Sequence, residues 1–201
     1  MNTQNNWIII SYYTHNYKEI AEQYLISSVN KLNIPNYIIE VPDLGSWKNN
    51  TNYKPIFIKE CLEKFNKNLV WIDCDATINY YPIYFDQLDN SSIDFAYHLL
   101  SWELHYGRLS DKNKFQLASG TLYFKNNEKI NQLINKWIEL SKHIQPDQIS
   151  LKEALSKVKD LATMILSREY CYITSTPKGE SPFIILEHPV ISHFQQSRRN
   201  R

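Results

Sequence analysis

The chain has 201 residues, enough to bury a single hydrophobic core without disulfides or metal ions to staple it. Its 22 Lys and Arg residues nearly balance 21 Asp and Glu residues, so the net charge is +1 and no overall field attracts nucleic acid or an anionic membrane. Its three cysteines, Cys61, Cys74 and Cys171, are widely spaced and form no CxxC pair. We therefore expect neither a disulfide framework nor a structural zinc site. The same cysteine usage predicts a cytoplasmic location.

The first apolar segment of the chain is interpreted as a strand rather than a signal peptide. Trp7–Tyr13 follows the polar residues Met1–Asn6 without a basic flank or a small-residue cleavage site. Elsewhere no stretch approaches the ~18 apolar residues that a membrane span requires. We therefore expect no membrane span.

Strand-like and helix-like patterns alternate along the chain. Runs of β-branched and aromatic residues predict strands, and apolar residues three and four apart predict amphipathic helices. The predicted strands are Trp7–Tyr13, Tyr37–Val41, Leu69–Ile72, Phe95–Leu99, Gln116–Phe124 with a break at Ser119-Gly120, Glu169–Ile173 and Phe183–Leu186. The predicted helices are Lys18–Leu32, Ile56–Phe65, Glu128–Ser141 and one opened by Pro146, with Asp147 as its cap. This alternation predicts an α/β domain with a mostly parallel central sheet flanked by helices.

Two polar segments lie between or after these elements. Asp43–Tyr53 contains one Gly and three Asn and is predicted to be a surface loop. Residues 188–201 are predicted to form a polar C-terminal tail. Truncation after Val190 is therefore expected to leave the sheet folded.

The strongest chemical signal follows the predicted strand Leu69–Ile72. Asp73 and Asp75 are two positions apart, so in an extended chain both carboxylates point to the same side. At the carboxyl end of a buried strand they would face the crevice in which open α/β sheets bind ligands. Carboxylate oxygens there suit Mg²⁺ or Mn²⁺, which could bridge a diphosphate.

This motif and several segments elsewhere in the chain resemble those of the nucleotide-diphospho-sugar transferases of GT-A type. These enzymes are glycosyltransferases with a Rossmann-like sheet and a DxD metal motif. The small members related to the retaining family 8 are the most similar. The segments that carry the resemblance are WIIISYYT, YKPIFI, VWIDCDATI, ASGTLYF, PDQISL and HFQQSRR. The resemblance implies a single GT-A domain over residues 1–201. It also implies Mn²⁺ or Mg²⁺ as cofactor and a nucleoside-diphosphate sugar as donor, a UDP-sugar being favoured. The acceptor hydroxyl is left open among glycans, proteins, small molecules and modified nucleobases.

The resemblance also implies roles for individual residues. The residues that would bind the nucleotide, ribose or diphosphate are Tyr12, Tyr13, Thr14, Lys54, Asp73, Arg198 and Arg199. Ser119 and Gly120 would let the backbone approach the donor sugar, which fits the use of glycine within strands for close approach of a ligand. Asp147 and Gln148 would lie beneath the sugar and the reacting carbon, as catalytic residues.

The tail, residues 188–201, is expected to close over the donor. In the family-8 pattern a late His is the third metal ligand, and a Lys six residues further on reaches the diphosphate. Here His193 is followed by Arg199 at that spacing, although Gln196 stands where the family has Gly. The implied metal ligands are Asp73, Asp75 and His193. His188 is the alternative third ligand.

Other classes of function stay open. A metal-dependent phosphohydrolase or nucleotidyltransferase also uses Asp pairs at strand ends, but the downstream Lys and acidic pair of the aspartyl-phosphate type are not found. A non-catalytic sugar-nucleotide-binding module would retain the fold without turnover, which the intact Asp73/Asp75 pair disfavours. The stereochemistry is open as well, because Asp147 is a candidate base for inversion whereas the family-8 resemblance favours retention. The sequence leaves the oligomeric state undetermined.

Overall fold

The fold follows from a computed structural model, which describes residues 6–107, 114–144, 146–176 and 179–195. Its strands are β1 (Trp7–Tyr13), β2 (Asn36–Glu40), β3 (Asn68–Ile72), β4 (Ala76–Ile78), β5 (Phe95–Ser101), β6 (Phe115–Phe124), β7 (Thr163–Leu166), β8 (Tyr172–Ile173) and β9 (Ile191–His193). Its α-helices are α1 (Lys18–Ala21), α2 (Ser27–Lys31), α3 (Trp47–Asn52), α4 (Lys54–Phe65), α5 (Tyr84–Asp89), α6 (Trp102–Tyr106), α7 (Glu128–Ser141) and α8 (Asp147–Lys157). A π-helical turn, Glu22–Ile26, joins α1 to α2. Within these residues no helix has the length and apolar character needed to cross a bilayer.

The central sheet has six strands in the order β2-β1-β3-β6-β5-β7. β1 is parallel to β2 and β3, and β5 is parallel to β7, whereas β6 is antiparallel to both of its neighbours. Five strands therefore run one way and β6 the other. The prediction of an α/β domain with a mostly parallel sheet is confirmed. Because β1 and β3 end at the same edge, the residues that follow them share the crevice where such sheets bind ligands.

β1 shows how the sheet is enclosed. Ile8 and Ile10 belong to a buried cluster formed with α4, α7 and α8. Trp7 and Ile9 alternate with them and belong to a second cluster, formed with α2, α5 and β4 on the opposite face. Burial on both faces explains why the sequence of β1 is an unbroken apolar run rather than an alternating one.

A second, three-stranded sheet has the order β4-β9-β8, with β9 in the middle. Ile191 of β9 is fully buried in the cluster against β4 and α5. This strand lies within the segment that the sequence predicted to be a polar tail. It is only three residues long, so hydrophobic periodicity could not identify it.

Truncation after Val190 is therefore expected to destabilise the protein, contrary to the prediction from sequence. It would remove β9, and loss of the Ile191 side chain alone should cost about 2–5 kcal/mol of unfolding free energy. Urea unfolding followed by tryptophan fluorescence measures the effect. Truncation after Gln195, which retains β9, is the matched control. Equal stability of the two truncated chains would show that β9 contributes nothing to the fold.

The polar segment Asp43–Tyr53 was predicted to be a surface loop, but part of it forms the helix α3. The Ser46 side chain accepts a hydrogen bond from the Asn49 backbone N–H at 3.1 Å and so caps the short helix α3. No residue of α3 is buried, which is why the sequence lacks the apolar spacing of a helix.

The strand predictions near the end of the chain are wrong. Phe183–Leu186 forms no strand, because the N–H groups of Phe183 and Ile184 donate instead to the carbonyls of His105 and Leu104 in α6. Residues 169–173 are divided between a 3-10 turn and the two-residue strand β8. In both places, contacts with segments distant along the chain override a β-rich local sequence.

Candidate active site

A cleft of about 970 Å³ opens at the carboxyl ends of β1 and β3. The residues predicted from sequence that line it are Tyr12, Tyr13, Thr14, Lys54, Asp73, Asp75, Ser119, Gly120, Asp147, Gln148 and His193. His188, the alternative metal ligand, is exposed and does not line the cleft. Arg198 and Arg199 lie outside the described residues. One cleft thus collects residues from six separate parts of the sequence.

A tight turn brings Asp73 and Asp75 together. The Asp73 N–H donates to the Gly120 carbonyl at 2.9 Å, and the Ala76 N–H donates to the Asp73 carbonyl at 3.0 Å. The chain therefore turns directly after β3 instead of continuing as an extended strand. The predicted convergence of the two carboxylates is found, but its cause is the turn and not the alternation of side chains along a strand.

His193 completes a group of three potential metal ligands. Its ring nitrogens and the carboxylate oxygens of Asp73 and Asp75 supply one ligand atom each, all within 4.8 Å of one another. His193 reaches this position because β9 is antiparallel to β4, which places His193 opposite Ala76, the residue that follows the turn. Two carboxylates and one imidazole are donors that suit a divalent cation.

The protonation state of His193 also suits a metal ligand. The side chain is buried, and burial lowers its pKa to about 4, against the opposing effect of the Asp73 carboxylate. The imidazole is therefore neutral at pH 7. An imidazole must be neutral to coordinate a cation, so His193 can bind one without first releasing a proton.

Gly120 leaves the space in which this group assembles. Opposite it, the pairing of β5 with β6 shifts register between Tyr97 and His98, so β6 bulges at the break predicted from sequence. A Cβ on Gly120 would lie 2.9 Å from His193 Cε1 and 3.4 Å from Asp73 Oδ2. No side chain fits there unless His193 moves.

Gly120→Ala is therefore expected to displace the His193 ring and weaken binding of Mn²⁺. It should also lower the unfolding free energy by about 1–3 kcal/mol, the usual cost of overpacking. Isothermal calorimetry and urea unfolding measure the two effects. In a His193→Ala background the clash is gone, so Gly120→Ala should cost much less. An equal cost in both backgrounds would show that the two residues do not interact.

Lys54, the first residue of α4, is a buried cation held entirely by the protein. Its Nζ lies 2.7 Å from Asp147 Oδ2, 3.1 Å from Asp73 Oδ1 and 3.2 Å from the Ser119 carbonyl oxygen. A lysine ammonium has three N–H donors, and these three acceptors match that number. Lys54 therefore connects the turn after β3 with the bulge in β6 and the start of α8.

The two carboxylates keep Lys54 charged. Burial acts to lower the pKa of this ammonium, but Asp147 and Asp73 together outweigh burial and raise its pKa above the ordinary value. The Nζ also lies 5.0 Å from the centroid of the Trp71 ring, a cation–π contact. The positive charge of Lys54 is thus a fixed element of the floor of the cleft.

Asp147 does not cap α8 through its side chain, contrary to the prediction. Pro146 occupies the N-cap position and no side-chain capping bond is made. The Asp147 carboxylate instead accepts hydrogen bonds from Lys54 and from the Ser119 hydroxyl, the latter at 2.9 Å. Its backbone carbonyl accepts from Trp137 Nε1 at 3.1 Å. Asp147 is therefore fixed on both sides, and Gln148 beside it is half-buried at the cleft wall.

Tyr12 has a mainly structural environment, although it lines the cleft. It is 9% exposed, its ring packs against Tyr53, Phe57 and Trp71, and its hydroxyl donates to the Asn50 carbonyl. Burial raises the pKa of this hydroxyl well above its usual value.

The sequence analysis missed one side of the cleft. The lining residues from the segment interpreted as a loop are Asp43, Gly45, Ser46, Trp47, Lys48, Asn50 and Thr51. A signal was present, because this segment follows β2, which is parallel to β1 and ends at the same edge. Loops after parallel strands at a shared edge are where α/β proteins bind ligands.

The fold of this chain is similar to that of several solved structures. No family model matches the chain, and no curated protein matches it. Among solved structures, a glycosyltransferase involved in the glycosylation of the major capsid of PBCV-1 matches 96% of this chain and 95% of its own, with a TM-score of 0.69 and 13% identity. Mouse xyloside xylosyltransferase 1 matches 96% of this chain and 98% of its own, with a TM-score of 0.57 and 10% identity.

A third solved structure is similar over most of its length. The galactosyltransferase LgtC, in complex with donor and acceptor sugar analogues, matches 94% of this chain and 87% of its own, with a TM-score of 0.54 and 10% identity. The chain therefore has the GT-A fold of glycosyltransferases, as its sequence resemblance implied. At these identities the likeness concerns the fold.

Proposed function

We propose that this protein is a metal-dependent glycosyltransferase that moves a sugar from a nucleoside-diphosphate sugar to an acceptor hydroxyl, with a UDP-sugar as the favoured donor. The observation that carries the proposal is the convergence of Asp73, Asp75 and His193 within 4.8 Å in the cleft of a GT-A fold. The solved neighbours are glycosyltransferases, which supports the same reaction class.

In this proposal Asp73, Asp75 and His193 hold Mn²⁺ or Mg²⁺. The cation would neutralise negative charge that develops on the departing diphosphate. Lys54 contributes indirectly, because its N–H groups are occupied by Asp73, Asp147 and Ser119. It fixes the position of one metal-binding carboxylate and of the Asp147–Gln148 segment relative to each other.

The remaining proposed contacts surround this centre. Tyr13, Thr14 and the rim of Tyr12 would contact the nucleotide, and Ser119 and Gly120 would lie against the donor sugar. Asp147 and Gln148 would act beneath the reacting carbon. Because residues 191–193 are fixed in β9, only the end of the predicted tail would close over the diphosphate, where Arg198 and Arg199 would add positive charge. Exclusion of water by such closure would favour transfer over hydrolysis of the donor.

Gln148→Ala is expected to lower kcat by about 10²-fold with little change in donor KM. A group beneath the reacting carbon acts mainly in the transition state, where the loss of one polar contact has this order of effect. Steady-state kinetics with the accepted donor measure both parameters. A rise in KM with unchanged kcat would place Gln148 in donor binding instead.

The function itself is tested by ligand binding followed by product analysis. Nucleoside diphosphates and nucleotide sugars are screened by thermal shift with and without Mn²⁺, where a ligand at 100 times its Kd should stabilise the fold by about 2.7 kcal/mol. The bound donor is then incubated with candidate acceptors, and the products are identified. Release of nucleoside diphosphate with a glycosylated acceptor supports the proposal.

Other products would identify other classes of protein. Sugar 1-phosphate with free nucleoside monophosphate would indicate a phosphohydrolase, and sugar 1-phosphate with a nucleotidylated acceptor would indicate a nucleotidyltransferase. Tight donor binding without turnover on any acceptor would indicate a binding module. Asp75→Asn is the control for metal dependence in every assay.

A further inference from the structure

The inference concerns Thr121, which follows Gly120 in β6 and is fully buried. Its Oγ1 lies 2.8 Å from His193 Nε2, so this ring nitrogen is occupied by a protein hydrogen bond. The other ring nitrogen, Nδ1, borders Gly120, as does the Asp73 carboxylate. The position that a Cβ on Gly120 would take is 3.0 Å from His193 Nδ1 and 3.4 Å from Asp73 Oδ2. Of the two nitrogens, Nδ1 is therefore the one available to a cation.

The direction of the hydrogen bond decides whether Nδ1 carries a proton. A threonine hydroxyl has one proton to donate and lone pairs that can accept. The Thr121 hydroxyl can therefore either donate to His193 Nε2 or accept from it, and the tautomer of the ring follows from that choice. When the hydroxyl proton points away from the ring, the hydroxyl oxygen accepts the proton of His193 Nε2–H. The imidazole is then the tautomer with a free lone pair on Nδ1.

We propose that Thr121 is a positioning residue, which holds His193 as the Nε2–H tautomer and directs Nδ1 toward the cation site between Asp73 and Asp75. Histidines that bind metals generally donate their second N–H to a neighbouring acceptor, which fixes both tautomer and ring orientation. The proposal rests on the proposed function for the identity of the bound cation. The tautomer concerns the protein without a cation and can be tested separately.

The test compares Thr121→Val, which removes the hydroxyl at nearly constant shape, with Thr121→Ser, which retains it. Thr163→Val in the exposed part of β7 is the matched control. In metal-free protein labelled with ¹⁵N-histidine, the His193 signals are assigned by their loss in His193→Ala. Parent and Thr121→Ser should both show a protonated Nε2 and an unprotonated Nδ1. Thr121→Val should lose this preference while its melting transition stays cooperative.

Metal affinity is the second measurement. The Kd for Mn²⁺, followed by EPR in the presence of UDP, should rise about 10–100-fold in Thr121→Val, the range typical when the hydrogen-bond partner of a ligating histidine is removed. Thr121→Ser and Thr163→Val should stay near the parent value. A protonated Nδ1 in the parent, or parent-like affinity in Thr121→Val, would overturn the role of Thr121. A parent with the Nε2–H tautomer but without Mn²⁺ binding would instead overturn the proposed metal site.

Discussion

Asp75→Asn should abolish metal-dependent donor binding while the fold is retained. The substitution preserves shape but removes one of the two anionic ligands, and a neutral amide compensates poorly for the charge of a divalent cation. We expect the Kd for Mn²⁺ with UDP to rise at least about 100-fold and transfer to fall by about 10³-fold, because the cation supplies several kcal/mol of charge stabilisation. Calorimetry and product analysis measure the two effects.

Asp73→Asn would have a second effect besides the loss of a metal ligand. The Asp73 carboxylate also accepts hydrogen bonds from Lys54 and from Trp71 Nε1, so Asp73→Asn would disturb the cleft floor as well as the metal ligands. Asp160→Asn is the matched control, since Asp160 lies outside the cleft in a left-handed backbone conformation that Asn tolerates. Unchanged turnover in Asp75→Asn would eliminate the metal assignment.

Lys54→Met should lower the unfolding free energy by about 3–5 kcal/mol, the usual effect of removing one partner of a buried ion pair. Asp147 is 5% exposed and would be left as a buried carboxylate without its cation. Urea unfolding measures the loss. The control Lys157→Met removes an exposed partner of Glu153 and should cost less than about 1 kcal/mol.

The double variant Lys54→Met, Asp147→Leu distinguishes a lost charge pair from lost packing. With both charges gone, an apolar pair of similar volume can be as stable as the original ion pair. We therefore expect the double variant to recover more than half of the loss, although its activity should remain low. A double variant that is less stable than Lys54→Met would show that the cost of Lys54→Met is not that of an uncompensated Asp147 charge.

Local sequence patterns predicted much of the fold. The apolar run of β1 and the spacing of Ile130, Leu133, Ile134 and Trp137 in α7 depend only on neighbours along the chain, and their bounds agree with the structure. The break at Ser119-Gly120 was predicted for a similar reason, because two small residues interrupt an otherwise apolar strand. Such features are encoded within a few residues.

The small sheet could not be predicted in this way. β4, β8 and β9 have only two or three residues each, too few for any periodicity to be visible. β4 and β9 exist because residues more than 100 positions apart, among them Ala76 and His193, pair with each other. The group of Asp73, Asp75 and His193 depends on that pairing, so the resemblance could name His193 as a ligand but no local rule could place it.

The sequence by itself determined the strand that ends just before Asp73, the pair of acidic residues that begins there, and the amphipathic helices α4 and α7, because apolar periodicity and turn chemistry act over short distances. Only the tertiary structure decided what those residues contact. In the folded protein the Lys54 ammonium contacts the carboxylates of Asp73 and Asp147, so the Asp147 side chain does not cap its helix. The Thr121 hydroxyl forms a hydrogen bond with His193. Buried charges and hydrogen-bond donors must find partners wherever the fold brings one, and those partners lie far apart along the chain.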